Sequence, residues 1–379
     1  MRRRQFLKCM GCTAAVTAAA QTDMWPEMLG GIENACAFDL GNELSSVPAR
    51  HYKKLDEGGI ECGLCPRHCY VTDVERGFCG VRENRNDEYF TLVYGLPCAV
   101  NIDPIEKKPL YHFYPGTTAF SLATAGCNVN CKFCQNWEIS QSRPEQTQNY
   151  RLTPQQIVET CRQRQIPNIA YTYSEPVVFY EYMFDIAVLA RTAGIRSAVI
   201  TGGYIETKPL AELLLVVDAI KVDLKAIRQK YYRDVVHGEL DPVLKALEQI
   251  KAAGVWLEIV YLVVPTLNDS EAEFTELARW IKRHLGTDTP LHFSRFHPQY
   301  LLRDLPKTPL ATLERAYDAC RSEGLEYVYL GNVPEHRAES TYCPRCGQMI
   351  VERRGYKTRL VGIDAGHCRQ CGHKIVGRF

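Results

Sequence analysis

The sequence predicts an α/β protein: a full or partial (β/α) TIM-type barrel, preceded by a small cysteine-rich module and followed by a zinc-ribbon-like tail. Three observations lead there. From residue 117 onward, apolar β-branched runs alternate with amphipathic stretches. Polar and glycine-containing motifs fall directly after those runs, at the strand ends where barrels collect their chemistry. Most of the seventeen cysteines stand in tight groups two or three residues apart, a spacing that suits metal ligation better than disulfides.

Composition sets the outer bounds. With 379 residues, 46% hydrophobic and 23% charged, the chain is an ordinary globular one. A formal net charge of +1 gives no overall field toward nucleic acid, membrane surfaces or acidic partners.

Residues 1–37 read as a targeting segment. Arg3-Arg4-Gln5-Phe6-Leu7-Lys8 resembles the twin-arginine export motif, a weakly apolar run follows through Ala20, and Ala35-Cys36-Ala37 offers small residues for cleavage. That run is shorter than the ~20 residues a transmembrane helix needs.

Residues 50–115 form the first module. Cys62, Cys65, Cys69 and Cys79 are spaced C-x2-C-x3-C-x9-C, with Pro66 and Gly77 supplying turns. Four soft ligands in so short a stretch suggest a metal site standing in for a core too small to hold itself. Zinc is the first expectation, an auxiliary iron–sulfur cluster the second and unligated thiols the last. Asp103 to Phe113 is polar and then aromatic, and leads into the first barrel strand.

The barrel is expected over 116–335, with strands at 117–125, 166–173, 196–201, 218–224, 256–264, 290–296 and 326–330. Gly194, Gly254 and Gly324 supply helix stops, and Pro176 opens a helix predicted over 176–193. The first strand runs into Cys127-Asn128-Val129-Asn130-Cys131-Lys132-Phe133-Cys134. A structural [4Fe–4S] cluster takes four thiolates; three leave one iron open to a ligand that is not protein. The second strand ends at Glu175, a carboxylate able to accept from an ammonium group or to favour a helix N-terminus. The third ends in Gly202-Gly203, where glycine lets backbone approach a ligand. On the fourth, Asp223 and Lys225 share a face, either to hold ligand hydroxyls and a carboxylate or to pair with each other. Thr266 to Asp269 is a turn where an adenine could rest, His297 is either a substrate contact or structural, and Tyr329 to Pro334 reads as a closing strand and loop. In the tail, 340–379, Cys343-x2-Cys346 and Cys368-x2-Cys371 are each followed by glycine, the knuckle pattern of a zinc ribbon. A second iron site or a disulfide pair is the alternative, and the basic residues between the knuckles read as a solvated hairpin.

The cysteine loop resembles that of the radical SAM superfamily. Cys-Asn-x-x-Cys-x-Phe-Cys-Gln-Asn-Trp, Asp-Pro-Ile-Glu-Lys-Lys-Pro-Leu-Tyr-His-Phe, Val-Asp-Leu-Lys-Ala and Leu-Gly-Asn-Val-Pro together resemble the AmmeMemoRadiSam-system radical SAM enzymes, relatives of the pyruvate formate-lyase activating enzymes. The match runs from about residue 60 to the C-terminus. It implies a [4Fe–4S] cluster on Cys127, Cys131 and Cys134, with S-adenosylmethionine on the open iron and positioned by Glu175, Gly202, Asp223 and Lys225. Of the family's Gly-Gly-Glu segment only Glu175 carries over, because Tyr173 and Ser174 stand where the glycines would be. The implied activity is reductive cleavage of S-adenosylmethionine to a 5′-deoxyadenosyl radical that abstracts hydrogen from an unidentified substrate. Two alternatives stand beside it: an activase acting on a glycine of a partner protein, and a non-catalytic metal- or nucleic-acid-binding protein. Implied partners are a low-potential donor such as flavodoxin or ferredoxin, and Memo-like and AMMECR1-like proteins; nucleic acid is not expected. The cofactors argue for the cytoplasm and the leader for the periplasm.

Overall fold

The computed structural model describes residues 43–379 except 57 and 334. The leader expected at 1–37 lies outside the described residues. The central element is an eight-stranded sheet: β1 Ala99–Pro104, β2 Thr118–Ala123, β3 Asn168–Tyr171, β4 Arg196–Thr201, β5 Ala219–Asp223, β6 Trp256–Val263, β7 Leu291–Arg295 and β8 Val328–Gly331. Spatial order follows chain order across the whole sheet. Strands β2 to β8 are parallel, and β1 pairs antiparallel with β2.

Each parallel step is bridged by a helix: α1 Pro154–Gln163, α2 Tyr180–Thr192, α3 Thr207–Leu213, α4 Leu240–Ala252, α5 Glu271–His284 and α6 Leu310–Ser322. Local chemistry sets their starts. Thr153 and Gln156 form a reciprocal capping box on α1, and Ser270 caps α5. The helix expected over 176–193 opens as a 3-10 turn, Pro176–Phe179, before α2 begins. Pro176 fixes the first residue of that turn, and the Glu175 side chain accepts from the Val177 amide.

The sheet is a partial barrel. β8 and β1 end the strand order without pairing to each other among the described residues, so β8, where a closing strand is expected, is an edge strand. The eighth strand, β1, comes from the 50–115 stretch. Small residues stand in register across three strands, Ala170 opposite Ala198 and Ala198 opposite Ala219. That row leaves room for Ile105, Leu110 and Phe113, which pack against it from the β1–β2 connection.

The N-terminal ends of the parallel strands are closed by a buried polar network. The Glu258 carboxylate accepts from the amides of Tyr111 and His112, from Trp256 Nε1, and lies 2.7 Å from His292 Nε2. His112 sits 2.7 Å from the Val376 carbonyl and 2.6 Å from the Tyr329 hydroxyl. Backbone at Tyr114 and His112 bonds to Arg378. The last residues of the chain thus complete the floor of the half-barrel.

Two three-stranded sheets precede the barrel, and a three-stranded sheet and a hairpin follow it. Arg82 and Glu181, both 1% exposed, make a bidentate pair of 2.9 and 3.0 Å that ties the N-terminal strands to α2. Among the described residues, no helix is long and apolar enough to cross a membrane.

Candidate functional site

The C-terminal ends of β2 to β6 converge on one polar region. The loop leaving β2 carries Cys127, Cys131 and Cys134, all free thiols, with Cys131 buried and the other two partly exposed. Its backbone is fixed on both sides. Asn130 and Lys132 amides donate to Val236 and Val235, in a π-helical turn spanning Tyr232–Val236, and the Leu301 amide donates to the Lys132 carbonyl. Trp137 stacks on Tyr300 at 5.3 Å. The loop conformation is therefore set by tertiary contacts before any metal is considered.

Three carboxylate and lysine side chains face this loop. Glu175, 5% exposed, accepts from Thr201 Oγ1 at 2.6 Å, the Gly202 amide at 2.8 Å and the Val177 amide at 3.2 Å. Burial raises its pKa above the usual carboxylate range despite those donors. A Cβ at Gly202 would sit 3.3 Å from Glu175 Oε2, so glycine there allows the close approach. Burial and the Glu175 charge together raise the Cys127 thiol well above its ordinary value.

Asp223 lies between two lysines. Lys221 Nζ donates to Oδ1, and Lys225 Nζ is 3.2 Å from Oδ2. Burial opposes the charge on Asp223, but the two ammonium groups outweigh it and hold the carboxyl below its ordinary range. Asp223 and Lys225 thus pair with each other in this structure. Lys225 also lies 5.9 Å from the ring centroid of Phe133 in the cysteine loop. Asn268, in the turn after β6, donates to the Lys225 carbonyl at 2.9 Å and holds the end of that segment. His297 is exposed beyond β7.

Several participants escaped the sequence reading. Lys221 shares the strand face of Asp223, two residues earlier, and that spacing was its only signal. Tyr173 adopts φ +63°, a left-handed conformation unusual for a bulky side chain. Its hydroxyl donates to Asp103, which also receives Lys107 at 2.8 Å and Lys108 at 2.5 Å. Burial lowers Lys108 to about 8 even beside Asp103. The Asp103–Lys108 stretch therefore reaches the barrel interior, directly under the loop that follows β3.

The other cysteines fall into two kinds. Cys343 and Cys371 sulfurs are 3.6 Å apart, those of Cys346 and Cys368 3.7 Å, and all four lie within 4.8 Å of one another. A tetrahedral ion with metal–sulfur bonds of about 2.3 Å sets its ligands about 3.8 Å apart, so this group could hold one metal ion. Among the described residues it is the only group of three or more metal-ligating side chains so closely gathered. The three loop cysteines are not gathered that closely, and no described cysteine is in a disulfide. Three thiols on one fixed loop, beside a lysine and two carboxylates, are a donor set that fits a [4Fe–4S] cluster with a polar ligand.

Comparison with known proteins agrees with this chemistry. The profile of the Radical SAM superfamily matches residues 121–278. The chain is 46% identical over 329 residues to an uncharacterized protein of Methanocaldococcus jannaschii, an alignment spanning 86% of this chain and 98% of that one. It is 27% identical over 202 residues to the pyruvate formate-lyase-activating enzyme of Clostridium pasteurianum, covering 48% of this chain and 80% of that protein. Among solved structures, a radical SAM methyltransferase from Sphaerobacter thermophilus superposes with a TM-score of 0.46 at 20% identity, over 62% of this chain and 71% of that one.

Proposed function

The chain belongs to the radical SAM superfamily, and from that premise we propose that Cys127, Cys131 and Cys134 hold a [4Fe–4S] cluster beside an S-adenosylmethionine site formed by Glu175, Gly202, Asp223 and Lys225. Membership makes the protein an enzyme and sets aside a purely metal-binding or nucleic-acid-binding role. When bound, the cluster and S-adenosylmethionine supply one-electron cleavage to a 5′-deoxyadenosyl radical, which takes hydrogen from the substrate.

The observation that carries this reading is the convergence of the three thiols, Glu175, Asp223 and Lys225 at one edge of the sheet. Glu175 already accepts three hydrogen bonds from the chain, leaving about one lone-pair site for a ligand ammonium. Lys225 and Asp223 would exchange part of their mutual pairing for the ligand's carboxylate and hydroxyls. Tyr173 and Ser174 replace the flexible glycines of the family segment, and the Ser174 hydroxyl donates to the Thr124 carbonyl at 2.7 Å. That bond ties the strand-end loop to the residue that follows β2.

The substrate is proposed as a small molecule or biosynthetic intermediate. Similarity to a pyruvate formate-lyase-activating enzyme favours a second reading, in which the hydrogen comes from a glycine of a partner protein. A low-potential donor of the flavodoxin or ferredoxin class would supply the electron. Memo-like and AMMECR1-like proteins are proposed as functional company, zinc as the ion on Cys343, Cys346, Cys368 and Cys371, and Cys62, Cys65, Cys69 and Cys79 as a further metal site.

The test is 5′-deoxyadenosine formation by anaerobically reconstituted, reduced protein. Product is expected from wild type and none from Cys131→Ala; retained cleavage in that variant would remove Cys131 from the ligand set. Glu175→Gln should weaken S-adenosylmethionine binding about tenfold, or about 1.4 kcal/mol. Unchanged affinity by equilibrium dialysis would reduce Glu175 to its capping role.

A further inference from the structure

The N-terminal cysteines present a geometric problem that the C-terminal four do not. No three of Cys62, Cys65, Cys69 and Cys79 bring their sulfurs within 4.8 Å of one another, whereas one tetrahedral ion needs about 3.8 Å. Yet the four are gathered: the Cys62 amide donates to the Cys69 carbonyl at 2.9 Å, the His68 amide donates to the Cys65 carbonyl at 3.2 Å, and Gly77, two residues before Cys79, packs against Cys69. In that spacing they match Cys127, Cys131 and Cys134 and differ from the tail cysteines.

Their surroundings are those of a cluster pocket. The Phe78 amide donates to Cys69 Sγ at 3.4 Å, and backbone donors at Arg67 and Val81 serve Cys65 and Cys79. Amides aimed at sulfur stabilise thiolates and tune cluster potentials. The buried Tyr89 hydroxyl has no nitrogen or oxygen partner and lies beside Cys62. A side chain at Gly77 would crowd both that hydroxyl, at 3.2 Å, and Cys69 Sγ, at 3.6 Å.

The two cysteine loops also touch. Arg67, between Cys65 and Cys69, donates to the carbonyls of Asn128 and His237. Gly126, which precedes Cys127, has φ +95°, and a Cβ there would come within 2.7 Å of the Cys79 carbonyl oxygen. The backbone at Gly126, next to Cys127, thus packs closely against the backbone of Cys79.

We propose that Cys62, Cys65, Cys69 and Cys79 hold a second iron–sulfur cluster, seated against the 127–134 loop and exchanging single electrons with the cluster there. The proposal rests on the assignment of Cys127, Cys131 and Cys134 as ligands of the first cluster. Its redox balance is simple. A reduced one-electron donor of the ferredoxin or flavodoxin class is oxidised, one electron enters at the N-terminal site, and one electron reaches the 127–134 loop. No proton or group moves.

Metal and sulfide analysis of the reconstituted full chain, with electron paramagnetic resonance of its reduced form, tests this. Wild type should contain about eight irons and about one zinc per chain. The triple variant Cys127→Ala/Cys131→Ala/Cys134→Ala should keep about four irons with a reducible signal. Reduced wild type should show spin–spin broadening that is absent from the triple variant and from Cys65→Ser/Cys69→Ser. About four irons and two zincs in wild type, an iron-free triple variant, or a wild-type spectrum with no broadening would overturn the proposal. A folded Cys65→Ser/Cys69→Ser protein with no iron would instead overturn the first-cluster assignment, so the two failures are distinct.

Discussion

Gly126 shows how tightly single residues constrain the site. Gly126→Ala would press a methyl group into the Cys79 carbonyl and Val81, adding overpacking to left-handed strain, a cost on the order of 2–4 kcal/mol. Gly194→Ala provides the control: its φ is +72°, but nothing lies within 4 Å of the added carbon, so only about 1–2 kcal/mol of backbone strain is expected. Thermal midpoints of the two variants should differ accordingly, and equal losses would mean that the loop contact is soft. At this scale the sequence was legible only where residue type implies chemistry. The three loop cysteines, Glu175, Asp223 and Lys225 could be singled out because thiols and charged groups that follow apolar runs are informative. Thr201, Lys221 and Arg67 were not, since their roles depend on which strand or loop lies opposite.

At the scale of elements, the strands of the half-barrel were legible because burial on both faces leaves nearly continuous apolar runs, such as β4 and β6. β1 was not. Its residues fall within the cysteine-rich module expected over 50–115, and the strand is a half-buried antiparallel edge. The α2 helix depends on a different device, the buried Arg82–Glu181 pair. Arg82→Ala would leave an uncompensated buried carboxylate at a cost of about 3–5 kcal/mol, visible as a lower thermal midpoint; a shift under one degree would show that Arg50 or solvent replaces it. In the tail, Cys343→Ser should lower zinc by about one ion per chain while leaving iron and S-adenosylmethionine binding intact. Loss of iron in that variant would join two sites that the fold keeps apart.

Across the whole molecule, the floor of the half-barrel is the feature least visible in sequence, since it joins Tyr111 and His112 to Glu258, His292, Tyr329 and Val376. Burial lowers His112 to about 4, so the unfolded chain, with an ordinary histidine near 6.5, binds the extra proton between those values. Stability from this residue is complete above about pH 6.5 and falls as pH drops toward 4, by on the order of 3 kcal/mol. His112→Gln should narrow the difference in thermal midpoint between pH 7 and pH 5; an unchanged difference would place the acid sensitivity elsewhere. Glu258→Ala should be more severe, about 3–5 kcal/mol, because four buried donors lose their acceptor together.

The same floor sets a timetable for biosynthesis. His112 and Val376 are 264 residues apart, so at translation rates of about 5–20 residues per second the first waits roughly ten to fifty seconds for the second. Glu258 itself follows His112 by 146 residues, so the floor is completed only after most of the chain has been made. Thiols 127, 131 and 134 will already have emerged, so metal delivery to a chain still under synthesis would meet a barrel without its base.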